Sequence, residues 1–217
     1  MLFRGRNKAS SVFSCKMDER TVKLKEIKEE IIGLKKSPLY EERVKNGVFP
    51  VIGEGNHYAR IMMIGEAPGK NEALKGKPFC GNAGKLLDQL LFSVGIERKD
   101  IYITNIVKDR PPGNRDPEPE EIEIYAPFLD RQIKIIKPSI IVGLGRFSSN
   151  YLLQKFRPDI EVAPISLIRG KIFEAKTDYG PIKIIPSFHP ASAIYGAGKR
   201  EILLEDFKKI KKLLLDI

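Results

Sequence analysis

A chain of 217 residues suits one domain with a well-developed core, and 42% hydrophobic with 30% charged residues describe an ordinary globular protein, neither disordered nor membrane-embedded. No apolar run approaches the ~20 residues needed to span a bilayer, and the N-terminus lacks the apolar region of a signal peptide, so a cytoplasmic or nucleoid-associated protein is expected. Lysine and arginine total 38 against 28 aspartates and glutamates, a net +10 that fits either a polyanionic partner such as nucleic acid or a Lys-rich surface serving solubility or thermal stability.

Residues 1–17 carry Arg4, Arg6, Lys8 and Lys16 without apolar periodicity and read as a basic, mobile arm before one domain over 18–217. From Asp18 to Leu34, apolar Val22, Leu24, Ile27, Ile31 and Leu34 mark an amphipathic helix ended by Gly33 and Pro38. Residues 39–58 read as irregular, punctuated by Gly47, Pro50, Gly53 and Gly55. Ile61 to Ile64 is a short apolar run stopping at the turn Gly65 to Gly69, the pattern of a buried strand with a sharp turn behind it. Gly76 to Gly84 is too rich in glycine to be a packed element and sets Phe79 at its centre, where an exposed ring would be a platform. Leu86, Leu87, Leu90, Leu91 and Val94 then recur at helical spacing, and Ile101 to Val107 reads as a second strand. A helix opened by Pro and acidic residues runs from Asp116 to about Lys137, followed by a strand at 139–144 and a helix at 146–156. Strands at 171–173 and 182–186 and a last helix at 199–216 complete the chain.

Apolar strands alternating with helices predict an α/β fold: a mostly parallel, about four-stranded sheet covered on both faces, three layers in α/β/α order. In such sheets ligands bind beyond the carboxyl ends of the strands. Glu66, Asn105, Gly143 to Gly145 and His189 each follow a strand directly, so a carboxylate, an amide and an imidazole are expected around one cleft. Taken alone, Asn105 also reads as a strand-end cap, Glu72 as a solvated loop charge and Phe79 as a core residue. Cys15 and Cys80 are the only cysteines, with no paired spacing, so neither a disulfide framework nor a cysteine zinc site is implied.

Four blocks in order, GEAPGKNE at 65–72, GKPFCGNAG at 76–84, ITNIVKDRPPGNRDP at 103–117 and FHPAS at 188–192, make the chain from about Leu34 to Tyr195 resemble the uracil-DNA glycosylases, specifically the thermostable fourth family that normally holds an iron-sulfur cluster. The resemblance implies that uracil is flipped out of DNA and its N-glycosidic bond hydrolysed, leaving an abasic site. Glu66 and His189 are then the catalytic residues. A carboxylate can orient or deprotonate water, and a donor aimed at uracil O2 stabilises the charge left there on cleavage. Asn105 would accept from uracil N3–H while donating to O4, a pattern cytosine reverses. Phe79 would stack the extruded base, Glu72 would sit beside C5 against a thymine methyl, and Ala67 completes the uracil-binding set. Cys80, where the family commonly has Val, reads as a small apolar neighbour and not a nucleophile. Arg110, Arg115, Arg169, Lys171 and Lys199 are candidates for phosphate contact, each equally readable as a solvated charge. Ser192, Ile194 and Tyr195 belong to the expected wedge loop, in which relatives carry Leu-Arg where this chain has Ile194 and Tyr195.

The same resemblance maps the family's cluster cysteines onto Leu34, Ser37, Asp109 and Tyr125, none of them cysteine. With Cys15 and Cys80 alone a four-thiolate site cannot be built, so no cofactor and no metal is expected. These positions should instead be neighbours held by packing and hydrogen bonds, with Asp109 paired or exposed. Ala73 stands where relatives have Asp, and no basic insertion ending in His follows Gly84, which argues against covalent capture of DNA. The expected partner is uracil-containing DNA, acted on by a monomer without a membrane; a replication-clamp partner is unknown from sequence. The rival readings are a non-catalytic DNA-binding module of the same fold and a glycosylase with broader choice, taking hypoxanthine or xanthine.

Overall fold

The structure is a computed structural model that describes residues 18–194 and 197–217; the basic segment 1–17 and the wedge candidate Tyr195 lie outside the described residues. Helix α1, Glu19–Ile32, starts at Asp18, whose carboxylate accepts from the Thr21 N–H and satisfies one of the donors a helix start leaves open. The stretch that reads as irregular holds a short helix α2, Tyr40–Lys45, and an edge strand β1, Glu54–Gly55. Neither shows in the sequence, because one helical turn and two paired residues carry too little apolar periodicity to register.

Strand β2 spans Ile61–Gly65, β3 Tyr102–Asn105, β4 Ile140–Leu144, β5 Phe173–Thr177 and β6 Gly180–Ser187. They form one six-stranded sheet in the order β1-β3-β2-β4-β6-β5. The four central strands are parallel, as the apolar runs require, and the short antiparallel β1 and β5 extend the expected four-stranded sheet at its edges. Pairing sets Gly65 opposite Asn105, Ile64 opposite Gly143 and Leu144 opposite Ser187, so the strand ends that precede the candidate residues lie level.

Alternate residues divide between two cores. Met62, Ile64, Ile141 and Ile184 face α1, helix α5 (Pro119–Ile136) and helix α6 (Arg146–Phe156). Ile61, Met63, Ile103, Val142 and Ile185 face helix α4 (Asn82–Ser93) and the last helix α8 (Ala197–Leu215). Two further short helices lie between these, α3 (Lys70–Lys75) and α7 (Ile165–Ile168). Fully buried strands need both faces covered, which is why these strands are continuously apolar and the fold has three layers. A capping box between Glu118 and Glu121 opens α5, and Lys137 in a left-handed conformation closes it. No helix among the described residues is long and apolar enough to cross a membrane.

Leu34, Ser37, Asp109 and Tyr125 gather as expected. Tyr125 donates to an Asp109 oxygen at 2.6 Å, Ser37 Oγ lies 2.8 Å from the Tyr125 hydroxyl, and the Ser37 N–H donates to the Leu34 carbonyl at 3.1 Å. Arg43 of α2 donates to both Asp109 oxygens, at 3.0 and 3.2 Å, and to the carbonyls of Ile31 and Ile32. Burial raises the Asp109 carboxyl above its ordinary range, while Tyr125 and Arg43 pull it back. Side chains that bond to one another and hold no thiolate do not fit an iron-sulfur cluster.

Candidate active site

The level strand ends open into a cavity of about 290 Å³ in which Glu66, Ala67, Glu72, Phe79, Asn105 and His189 all take part. This is the size of a small ligand pocket. Asn105 ends β3 and is buried, yet among the described residues its side-chain amide has no hydrogen-bond partner; both its donor and acceptor ends stay available to the cavity. The Asn105 side chain lies on the α4 side of the sheet, where Gly65 makes room for it: a Cβ built there would be 2.3 Å from Asn105 Oδ1 and 2.8 Å from Phe79 Cζ.

Phe79 is buried with φ 48°, in the left-handed region that a non-glycine residue rarely adopts. Two contacts hold it so. Gly84, in the first turn of α4, lets the Phe79 carbonyl approach to within 1.8 Å of where a Cβ would stand. Glu72 of α3 accepts from the Cys80 and Gly81 N–H groups at 2.9 and 2.7 Å, stapling the glycine-rich loop while lining the cavity. Sequence reasoning anticipated Glu72 in the pocket but not this staple, which joins residues eight and nine apart. Cys80 is a half-buried free thiol raised above its ordinary value by burial, consistent with an unreactive neighbour.

His189 follows β6 and starts a 3-10 turn, Pro190–Ala193. Its Nδ1 accepts from the Ala191 N–H at 3.2 Å, which leaves the proton of the neutral ring on Nε2. Burial pulls its pKa down to about 4 against a smaller opposing pull from Glu72, so the ring is a neutral donor at neutral pH. It lies 5.5 Å from the Phe79 ring, centroid to centroid, at 31°.

Glu66 closes the other side. Burial raises its carboxyl above the ordinary range; the Phe147 N–H, 3.4 Å from Oε1 at the start of α6, opposes this, and the charge of Asp116 adds to it. Asp116 pairs with Arg146 at 2.6 Å beside the cavity. Asp116 and Asn114, which lies at φ 57° in the Pro112–Asn114 turn, line the pocket without having been singled out in the sequence. The Pro-Pro-Gly-Asn run signals the turn, but the Asp116–Arg146 pair spans thirty residues and leaves no local signal.

The expected phosphate contacts separate. Lys171 and Lys199 are exposed, Lys199 with its ammonium 5.7 Å from the Phe188 ring. Arg110 donates to Asn114 at 2.6 Å, and Arg115 forks onto Glu121 at 2.6 and 3.0 Å while lining the cavity. Arg169 is held by buried Asp206 at 2.6 Å. Ile194 is exposed beyond the His189 turn, and the Ser192 hydroxyl is buried without a hydrogen-bond partner among the described residues.

A family model described as the uracil DNA glycosylase superfamily matches residues 52–215, which include every residue of this cavity. The chain belongs to the uracil DNA glycosylase superfamily. Among superfamily members, it is 48% identical over 193 residues to a protein of Sulfurisphaera tokodaii named Type-4 uracil-DNA glycosylase, covering 88% of this chain and 85% of that one. Proteins of the same name from Archaeoglobus fulgidus and Thermotoga maritima are 44% and 42% identical, covering 88% and 76% of this chain and 92% and 82% of theirs.

Proposed function

We propose that this protein is a monofunctional uracil-DNA glycosylase that acts on an extruded uracil and leaves an abasic site. The observation that carries the reading is Asn105: a buried amide, without a hydrogen-bond partner among the described residues, at the end of a pocket that also offers a stacking ring, a neutral imidazole donor and a carboxylate of raised pKa. Leaving either end of such an amide unpaired is costly, so a base that matches both is favoured strongly over one that reverses them. Uracil matches with N3–H and O4.

In the reaction the C1′–N1 bond breaks and its electron pair stays on uracil, spreading to O2. His189 donates Nε2–H toward that oxygen; a neutral donor strengthens as charge develops and need not give up its proton. Glu66 accepts a proton from the water whose oxygen bonds C1′, and the proton balance closes when the departing uracil anion is protonated. Phe79 stacks the ring, Ala67 lies along it, and Glu72 stands where a C5 methyl would fall. Arg110, Lys171, Lys199, Ser192 and Ile194 are assigned to the DNA backbone and the vacated stack, with Arg115 and Arg169 as weaker candidates because Glu121 and Asp206 hold them. Labelled oligonucleotides bearing uracil, thymine or hypoxanthine, treated with the protein and then alkali, test the reading: strand scission at uracil alone is expected. Scission at hypoxanthine as well would establish broader specificity, and none at uracil would reject catalysis.

A further inference from the structure

Because among the described residues nothing hydrogen-bonds to the Asn105 side chain, its direction is set by its backbone and by the walls around it. One backbone anchor is the neighbouring N–H of Ile106, which donates to the Gly65 carbonyl at 3.0 Å. The other comes from Lys108, fully buried three residues on, whose Nζ donates to the Asn105 carbonyl at 2.6 Å. The same Nζ reaches Thr104 Oγ1 at 2.8 Å and Gln132 Oε1 of α5 at 2.6 Å.

All three partners are acceptors. The Thr104 hydroxyl spends its proton on the Ile52 carbonyl at 2.6 Å, and the Gln132 amide donates to that same carbonyl at 2.9 Å, which turns its oxygen toward Lys108. With the Thr104 proton on Ile52, the three protons of an ammonium match the three acceptors one to one; a neutral amine has two protons and would match only if the Thr104 hydroxyl turned to donate to its lone pair. Burial opposes the charge and pulls the Lys108 pKa well below its ordinary value, and among the described residues no carboxylate pairs with it. An apolar side chain would fill this space without desolvating a charge.

We propose that Lys108 is a positioning residue that, as a buried ammonium, clamps the Asn105 carbonyl at the end of β3 and so fixes the pose in which the Asn105 side chain reads the base. The inference rests on Asn105 being the base-reading residue. Displacement of a recognition group by about 1 Å costs up to ~10²-fold in rate without touching the reacting atoms.

The test compares Lys108→Met, Thr104→Val, Asn105→Asp and a core control, Ile210→Ala, by melting temperature, affinity for abasic-site DNA and single-turnover release of uracil at saturating enzyme. Lys108→Met removes the clamp; Thr104→Val, nearly isosteric, removes one of its three acceptors and covers the case in which the first variant does not fold. Lys108→Met should lose about tenfold or more in rate and Thr104→Val about threefold, both with abasic-site affinity within twofold of the parent, while Ile210→Ala lowers the melting temperature and keeps its rate. Rates within twofold of the parent in the Lys108 and Thr104 variants, with Asn105→Asp impaired, would overturn the clamp alone. An unimpaired Asn105→Asp would instead overturn the role of Asn105 on which the clamp rests.

Discussion

Glu66 and His189 act in the cavity through protonation states that burial sets. Glu66, Asn105 and His189 are identifiable from the strands they follow, because a parallel sheet brings its carboxyl ends to one rim. That His189 is a neutral Nε2 donor depends on the Ala191 N–H and on burial, neither of which has a sequence signature. Asn105→Asp should weaken uracil selection or begin to admit cytosine, because the donor to O4 becomes an acceptor; competition assays with uracil and cytosine strands check this. His189→Ala should lower turnover at least ~10²-fold, the scale for one oxyanion-type donor, with little change in DNA affinity. Activity should also fall on the acid side as Glu66 takes up a proton, at a pH above the usual carboxylate range. Asp116 contributes to that elevation through its charge, so Asp116→Asn should move the acid limb of the pH–rate profile downward. An unmoved limb would detach Asp116 from Glu66.

Among elements, those with a strong apolar pattern were readable and those without one were not. Strands β2 and β4 and helices α4, α5 and α6 carry strong apolar patterns, whereas α2, α3 and β1 are two to six residues long and are held by tertiary contacts. The short helix α2 supplies Arg43, the partner that keeps Asp109 buried beside Tyr125 and Ser37. Removing one member of a buried pair leaves an uncompensated charge, so Arg43→Met should cost about 3–5 kcal/mol in urea unfolding. The turn carrying His189 has its own pH signature. The unfolded imidazole takes its proton near 6.5 and the folded one near 4, so between these values the unfolded chain binds more protons. Stability should therefore decline as pH falls from about 6.5 to about 4, and His189→Ala should flatten that part of the slope.

For the whole molecule, the +10 charge was ambiguous in sequence and becomes informative only through where the cations sit. Arg43, Arg131 and Arg169 are engaged by carboxylates, while Lys171 and Lys199 are exposed, so phosphate contact falls to the exposed cations and not to every Lys and Arg. Duplex affinity should fall with salt at a log–log slope of about −0.9 per contact, and a flat response would assign the charge to solubility.

Hydrolysis of the bond between uracil and deoxyribose is assigned to this one cavity. Its most direct test is to count, in one reaction on uracil-containing duplex with chelator present, the free uracil released and the abasic sites formed, for the parent protein and for His189→Ala. Equal yields of uracil and abasic sites from the parent, with the variant slowed at least ~10²-fold at unchanged DNA binding, are the predicted result. Abasic sites without matching free uracil, or a variant as fast as the parent, would contradict it.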